Sequence, residues 1–147
     1  MTDRLIAEPR EAYRHFTVIA TRWMDNDVYG HVNNVVYYSW FDTAVNGMLI
    51  AERLAGPAAG GPIGLVVGTQ CQYFAPVSFP VPVEIGLRVH RIGGSSVTYR
   101  LGVFTAQREL SHASGLFTHV YVDRDSRRPV PVPAGHRETL ARYAPVQ

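Results

Sequence analysis

Two hydrophobic periods divide the chain. Val32, Val36, Trp40, Thr43, Gly47, Ile50 and Leu54 recur every three or four residues, which predicts a helix from Asn33 to about Leu54. Val35, Tyr37, Tyr38, Phe41, Ala44, Met48 and Leu49 widen the apolar surface far beyond one stripe. A helix apolar on nearly every side is one that its surroundings bury. Asn33 or Asn34 is placed to cap its start, and the Gly56–Pro62 loop, rich in Gly, Pro and Ala, ends it.

Elsewhere the period is two. Val81, Val83, Ile85, Leu87 and Val89 alternate with Pro82, Glu84, Gly86, Arg88 and His90, and Val97, Tyr99, Leu101 and Val103 continue the alternation beyond an Ile92–Ser95 hairpin turn. His15–Trp23, Ile63–Phe74 and Ala113–Asp123 are rich in strand formers. Met24–Gly30 and Gln107–Leu110 are predicted loops, and Gly135–Tyr143 a short exposed helix. The expectation is an α+β domain: one strand, one long buried helix, then four strands in an antiparallel meander. It spans 1–147 as a single domain, with an N-terminal extension (1–14) and a C-terminal tail or short helix (133–147). Five strands cannot enclose so apolar a helix, so a second subunit is expected to cover the rest.

Composition narrows the chemistry. A net charge of +2 argues against a nucleic-acid binder. All 14 basic residues are Arg, so lysine Schiff bases and a Walker-type phosphate lysine are excluded. The single cysteine, Cys71, rules out an internal disulfide and any cysteine zinc site, and reads as a small core residue in a strand. The polar start, Met1–Arg14, has no signal-peptide character and no later run is long enough to span a bilayer, so a cytoplasmic location is expected. No His, Asp and Glu group has metal-ligand spacing, and no Gly-x-Ser-x-Gly elbow is present.

Chemistry concentrates in Arg22–Phe41, which sets two carboxylates, a glycine, a histidine and two asparagines just ahead of the long helix. A helix start offers free N–H groups and partial positive charge to a developing oxyanion. A carboxylate beside it could attack an activated acyl group or deprotonate a water. Asp25 and Asp27 are the carboxylates placed for that work, and either can instead serve the loop by bonding backbone amides. Gly30 serves backbone geometry or close substrate approach. His31 either orients Asp27 or a water, or satisfies the loop. Asn33 and Asn34 are caps that also sit where an oxyanion would. Tyr37, Tyr38, Trp40 and Phe41 are core residues, some of which could line an acyl pocket.

The run Asp25-Asn26-Asp27-Val28-Tyr29-Gly30-His31-Val32-Asn33-Asn34, followed by Tyr37, resembles the Asp-x-Asp-x-x-Gly signature, extended by His-Val-Asn-Asn, of hotdog-fold acyl-CoA thioesterases of the 4-hydroxybenzoyl-CoA thioesterase type. The element order and the Tyr73–Val77 turn match less specifically. The resemblance implies a long central helix wrapped by a five-stranded, mainly antiparallel sheet. It implies Asp27 as catalytic carboxylate, with His31 beside it, and an amide near Asn34 polarising the thioester carbonyl. Tyr29, Gly30, Asn33 and Tyr37 fall to substrate binding. It implies no cofactor and no metal, with paired subunits forming one continuous sheet, active sites at the dimer interface, and dimers joining into tetramers. Arg88, Arg91, Arg127 and Arg128 are candidates for the phosphates of an acyl-CoA.

The segment is also similar to acyl-carrier-protein thioesterases, whose signature has Asn where this chain has Tyr29. Two further readings are a non-catalytic acyl-CoA-binding protein on the same fold and a hotdog dehydratase. The first would not need Asp27. The second needs a catalytic His and an acidic residue from different segments, a pattern absent from this sequence.

Overall fold

The computed structural model describes residues 4–56 and 59–145. Residues 1–3, 57–58 and 146–147 of the N-terminal extension, the Gly/Pro/Ala loop and the C-terminal tail lie outside the described residues. The elements run β1 (His15–Ile19), α1 (Asn34–Ala51), β2 (Ile63–Tyr73), β3 (Val83–Ile92), β4 (Ser96–Phe104), β5 (Ala113–Val122) and α2 (Ala134–Ala141). Every strand pair is antiparallel, in the order β1-β3-β4-β5-β2, and α1 lies against one face of the sheet. This is the hotdog arrangement that the family resemblance implies.

Three expectations need correction. The four later strands are not a simple meander: β3, β4 and β5 follow one another, but β2 pairs with β5, at the opposite edge from β1. The chain must therefore cross between β2 and β3, and residues 74–82 make that crossing. The first strand ends at Ile19, and Trp23–Asp25 forms a single 3-10 turn instead. The buried stripe of α1 is also phased differently. Tyr37, Trp40, Phe41, Ala44, Val45, Met48 and Leu49 face the sheet, whereas Thr43, Gly47 and Ile50 face outward. The winning stripe carries the larger side chains at i, i+3, i+4 and i+7, and so removes more apolar surface from water.

Asn33 caps α1, its Oδ1 accepting the Val35 N–H at 3.1 Å. On the sheet, Ile85, Leu87 and Val89 of β3, Tyr99 and Leu101 of β4 and Phe117 of β5 complete the core. The helix sits close at Gly115 of β5, where an added Cβ would overlap the Phe41 ring and the Gln70 carbonyl.

Part of the other face of the sheet is covered by residues 4–14, which lie across it as a strap. The Ser114 hydroxyl donates to the Ile6 carbonyl at 2.8 Å, and the Ser111 N–H to the Glu8 carbonyl at 2.8 Å. Glu8 Oε1 lies 3.2 Å from Arg88 Nη1, 3.1 Å from Arg100 Nη2 and 3.1 Å from the Tyr13 hydroxyl. The Tyr13 ring rests on Gly86 and Gly102, where any side chain would collide with it. Residues after β5 close the far end. α2 is the expected short helix, with Ala134, Gly135, Glu138 and Ala141 exposed, and only Leu140 is buried; the Tyr143 hydroxyl and His136 tie this segment to Glu52 and Leu54 just after α1. No helix among the described residues is long and apolar enough to cross a membrane.

Gly115→Ala should destabilise the fold by about 2 kcal/mol, because neither the Phe41 ring nor the Gln70 backbone has room to move. The urea midpoint of the purified variant measures this, and an unchanged midpoint would show that α1 can lift off β5 at little cost.

Candidate active site

The segment before α1 is shaped by side chains that serve its own backbone. Asp25 is 2% exposed and accepts the Arg22 N–H at 2.8 Å, with the Arg22 guanidinium 2.8 Å away. Its carbonyl accepts the Asn33 N–H, so Asp25 locks the loop shut and is structural. Asp27 closes the inner turn: its N–H donates to the His31 carbonyl at 2.8 Å, and its carbonyl accepts the Gly30 N–H at 3.1 Å. Asp27 Oδ1 accepts the Tyr29 N–H at 2.8 Å. Gly30 has φ +79°, a left-handed conformation that favours glycine, and nothing lies near its absent Cβ. Backbone geometry, and not crowding, is what this position demands.

The crossing segment holds this loop in place. Val32 N–H donates to the Val77 carbonyl at 2.7 Å, the Ser78 hydroxyl to the Gly30 carbonyl at 2.9 Å, and the Phe79 N–H to Asn26 Oδ1 at 3.1 Å. His112 fastens the start of the crossing from below. Its Nδ1–H donates to the Pro76 carbonyl at 3.1 Å, so its Nε2 accepts from the Thr105 hydroxyl at 2.8 Å. Burial lowers the His112 pKa from the ordinary imidazole value.

Between loop and crossing lies an open cleft of about 400 Å³ lined by Asp27, His31, Val32, Asn34, Tyr37 and residues 73–76. Three predicted catalytic residues, Asp27, His31 and Asn34, thus share one cleft, with Tyr37 in its wall. The Asn34 N–H, as the first amide of α1, has no acceptor within the helix. Asn33 is engaged as the cap, at the edge of this group. Tyr29 is 82% exposed and stands outside the cleft, while Gly30 borders a neighbouring hollow with Trp23, Met24 and Val28.

Sequence reasoning left Tyr73, Phe74, Ala75 and Pro76 out of the site. The Tyr73 ring meets Tyr37 edge to face at 4.9 Å, and its hydroxyl donates to the Asn34 carbonyl at 3.3 Å. The only signal in the sequence was the Tyr-Phe-Ala-Pro run at the end of a strand. Cys71 is half-buried next to these rings. Burial, only partly opposed by Tyr73, pushes its thiol up to about 11, so at neutral pH it is no thiolate nucleophile. Burial, and then Cys71, likewise push the Tyr37 phenol up to about 12.

The arginines proposed for phosphate lie elsewhere. Arg88 is held under the N-terminal strap by Glu8 and the Ala12 carbonyl. Arg91 borders a shallow hollow with Thr98 and Thr118 on the strap side of the sheet. Arg127 and Arg128 belong to the exposed turn after β5. None of them lines the cleft. Among the described residues no group of His, Cys, Asp and Glu is arranged to hold a metal ion.

A carboxylate and the first amides of a helix in one cleft can activate a nucleophile on one side of a carbonyl and hold the oxyanion on the other. Comparison with known proteins gives the chain a family and a fold. The family model described as the thioesterase-like superfamily matches residues 21–140. The PA5185 protein from Pseudomonas aeruginosa strain PAO1 is 51% identical, over 95% of this chain and 97% of its own, with a TM-score of 0.88. The dynemicin thioesterase, 22% identical over 90% of this chain and 98% of its own, superposes with a TM-score of 0.80. A 1,4-dihydroxy-2-naphthoyl-CoA thioesterase from Synechocystis is 16% identical over 86% of this chain and 94% of its own, with a TM-score of 0.77. The last two show a shared fold. No functionally curated protein matches the sequence.

Acid should weaken the fold. His112 and His119 are both held below the ordinary imidazole value of 6.5, chiefly by burial. The unfolded chain therefore binds protons first as the pH falls through about 6.5. Stability should be full above that value and decline below it, down to the folded-state values. Urea midpoints measured at descending pH should show the decline, and His112→Gln should flatten it. A midpoint independent of pH in this window would contradict the assignment.

Proposed function

The chain belongs to the thioesterase-like superfamily, and from that premise we propose that it hydrolyses an acyl-CoA with Asp27 as the catalytic carboxylate. The observation that carries this reading is the meeting of Asp27 and the start of α1 in one cleft. The thioester carbonyl would dock against the Asn34 amide, which stabilises the oxyanion together with the helix dipole. Asp27 would then act by one of two routes. As general base it takes a proton from a water, whose oxygen adds to the carbonyl carbon. As nucleophile it forms a mixed anhydride that water cleaves. In both, the C–S bond breaks, the thiolate leaves and takes up a proton, and a free acid is released. His31, exposed in the same cleft, is positioned to orient the water or the carboxylate.

A carboxylate is a weak base and a weak nucleophile. It suits a thioester, whose thiolate leaves readily, better than an alkyl ester. A carrier-protein thioester offers the same carbonyl and is the second reading. What favours CoA is the chain's match to the signature of the short acyl-CoA enzymes and its departure, at Tyr29, from that of the carrier-protein enzymes.

We also propose a homodimer formed along β2, with the site at the interface and a dimer of dimers beyond it. The strand runs 11 residues along the sheet edge and leaves Leu65, Val66 and Val67 exposed. A long apolar edge without cover invites pairing with a second copy. Two-fold symmetry makes that pairing antiparallel.

Asp27→Asn should lower kcat about a hundredfold or more without moving the urea midpoint by more than a small amount. Thiol release from a panel of acyl-CoAs gives the rate, and near-normal turnover by the folded variant would remove Asp27 from the mechanism. Light scattering at micromolar concentration should give at least twice the chain mass. Replacing Val67 by Arg should shift it toward the monomer, and a monomeric wild type would refute pairing along β2.

A further inference from the structure

His112 immediately precedes β5 and does not line the Asp27 cleft. It is 4% exposed, and every polar atom it has is engaged. Its N–H donates to the Val103 carbonyl of β4 at 2.7 Å, which fixes it to the sheet. Its carbonyl accepts the N–H groups of Phe74 and Ala75 at 2.8 Å and 3.1 Å. Its Nδ1–H donates to the Pro76 carbonyl, and its Nε2 accepts from the Thr105 hydroxyl. One residue thus grips three consecutive residues of the cleft wall.

The third grip differs in kind from the other two. Proline has no N–H, so its carbonyl is the one polar handle Pro76 offers, and the imidazole holds it. The next carbonyl along, that of Val77, accepts the Val32 N–H at 2.7 Å. Val32 follows His31, whose carbonyl accepts the Asp27 N–H at 2.8 Å. A continuous path therefore leads from the sheet through the His112 ring, Pro76, Val77 and Val32 to the backbone of Asp27. The backbone bonds to Phe74 and Ala75 survive a change of side chain at this position, whereas the bond to Pro76 does not. We propose that His112 is a positioning residue for the Asp27 carboxylate, acting through the Pro76 carbonyl. The inference rests on the thioesterase reading and adds to it the group that sets the carboxylate against the first amides of α1.

Asp27 cannot be aimed by its side chain alone. Its Oδ1 already accepts the Tyr29 N–H, so the carboxylate moves with the turn that carries it. Asp25 and Arg22 fix the front of that turn, and the Val32–Val77 bond fixes its end. A misplacement of about 1 Å between reacting groups costs roughly a hundredfold in rate. Release of Pro76 frees the end of the turn and leaves every side chain that lines the cleft in place. The loss should therefore fall on kcat more than on KM.

The two ring nitrogens can be replaced one at a time. The amide of His112→Asn falls near Nδ1 and can donate to Pro76, but does not reach Thr105. The amide of His112→Gln falls near Nε2 and can meet Thr105, but leaves Pro76 without its donor. Each variant loses one buried bond, so their urea midpoints should fall alike. Kinetics should separate them, measured as thiol release from the acyl-CoA that wild type turns over fastest. His112→Gln should lower kcat about tenfold or more and change KM by less than about threefold, while His112→Asn keeps about a third of kcat or more. Thr105→Val, which leaves the bond to Pro76 intact, should cost stability and spare kcat in the same way. The Val32 amide should exchange with solvent about tenfold faster in His112→Gln than in His112→Asn. Equal kcat in the two His112 variants, or equal Val32 exchange, overturns the proposal. If His112→Gln does not fold, a tenfold loss of kcat in folded His112→Asn or Thr105→Val overturns it, and retention in both supports it. Failure of the thioesterase reading looks different: wild type releases thiol from no acyl-CoA, or Asp27→Asn keeps its turnover, while the difference in Val32 exchange remains.

Discussion

Burial of one face of α1 is the constraint on which everything else in this molecule depends. Phe41, Met48, Val45 and Ala44 are wholly removed from water, and only a sheet curved around the helix can remove them. Close seating is possible because β5 presents Gly115 to the Phe41 ring. A sheet that must wrap a helix has its two edges on either side of that helix. β2 then occupies one edge and β1 the other, and the chain has to pass from the first to the neighbour of the second around the end of α1.

That passage builds the cleft. Residues 74–82 run past the start of the helix and bond to the loop before it through Val77, Ser78 and Phe79. The loop is thereby fixed from two directions, by Asp25 and Arg22 within it and by the crossing outside it. Asp27 is left beside the first turn of α1 with the Tyr73–Pro76 wall opposite. His112, locked to the Pro76 carbonyl, links this wall to the β4–β5 turn, so the geometry of the site and the integrity of the sheet are coupled. The same helix that organises the core therefore brings its first amides to the cleft.

Much of this was legible in residue order. The switch from period two to period 3.6 identified the strands and the helix, and the Asp25–Asn34 run pointed to the candidate cleft, because that run places a carboxylate just before a helix start whatever the surrounding fold. Two kinds of feature were not legible. Strand neighbours were misread, since alternation reports that a strand has one buried face but not which strand lies beside it. The strap 4–14 looked like a polar extension, because its hold on the sheet comes from Glu8 meeting Arg88 and Arg100, partners at least 80 positions away. Arg88 consequently looked available for phosphate when its charge is already engaged.

By itself, then, the sequence determined the element types and the helix start at Asn33–Asn34, and it set the Asp25–Asn34 run of polar side chains just ahead of that start. All of these are local properties, set by spacing and side-chain type. Tertiary structure alone decided the edge position of β2, the phase of the buried stripe on α1, the Tyr73–Pro76 wall of the cleft, and the close packing of Gly64 against the His119 ring. Each of these depends on which distant segments compete for the same apolar surface, and the winner is chosen by the total area removed from water, a quantity no short stretch of sequence contains.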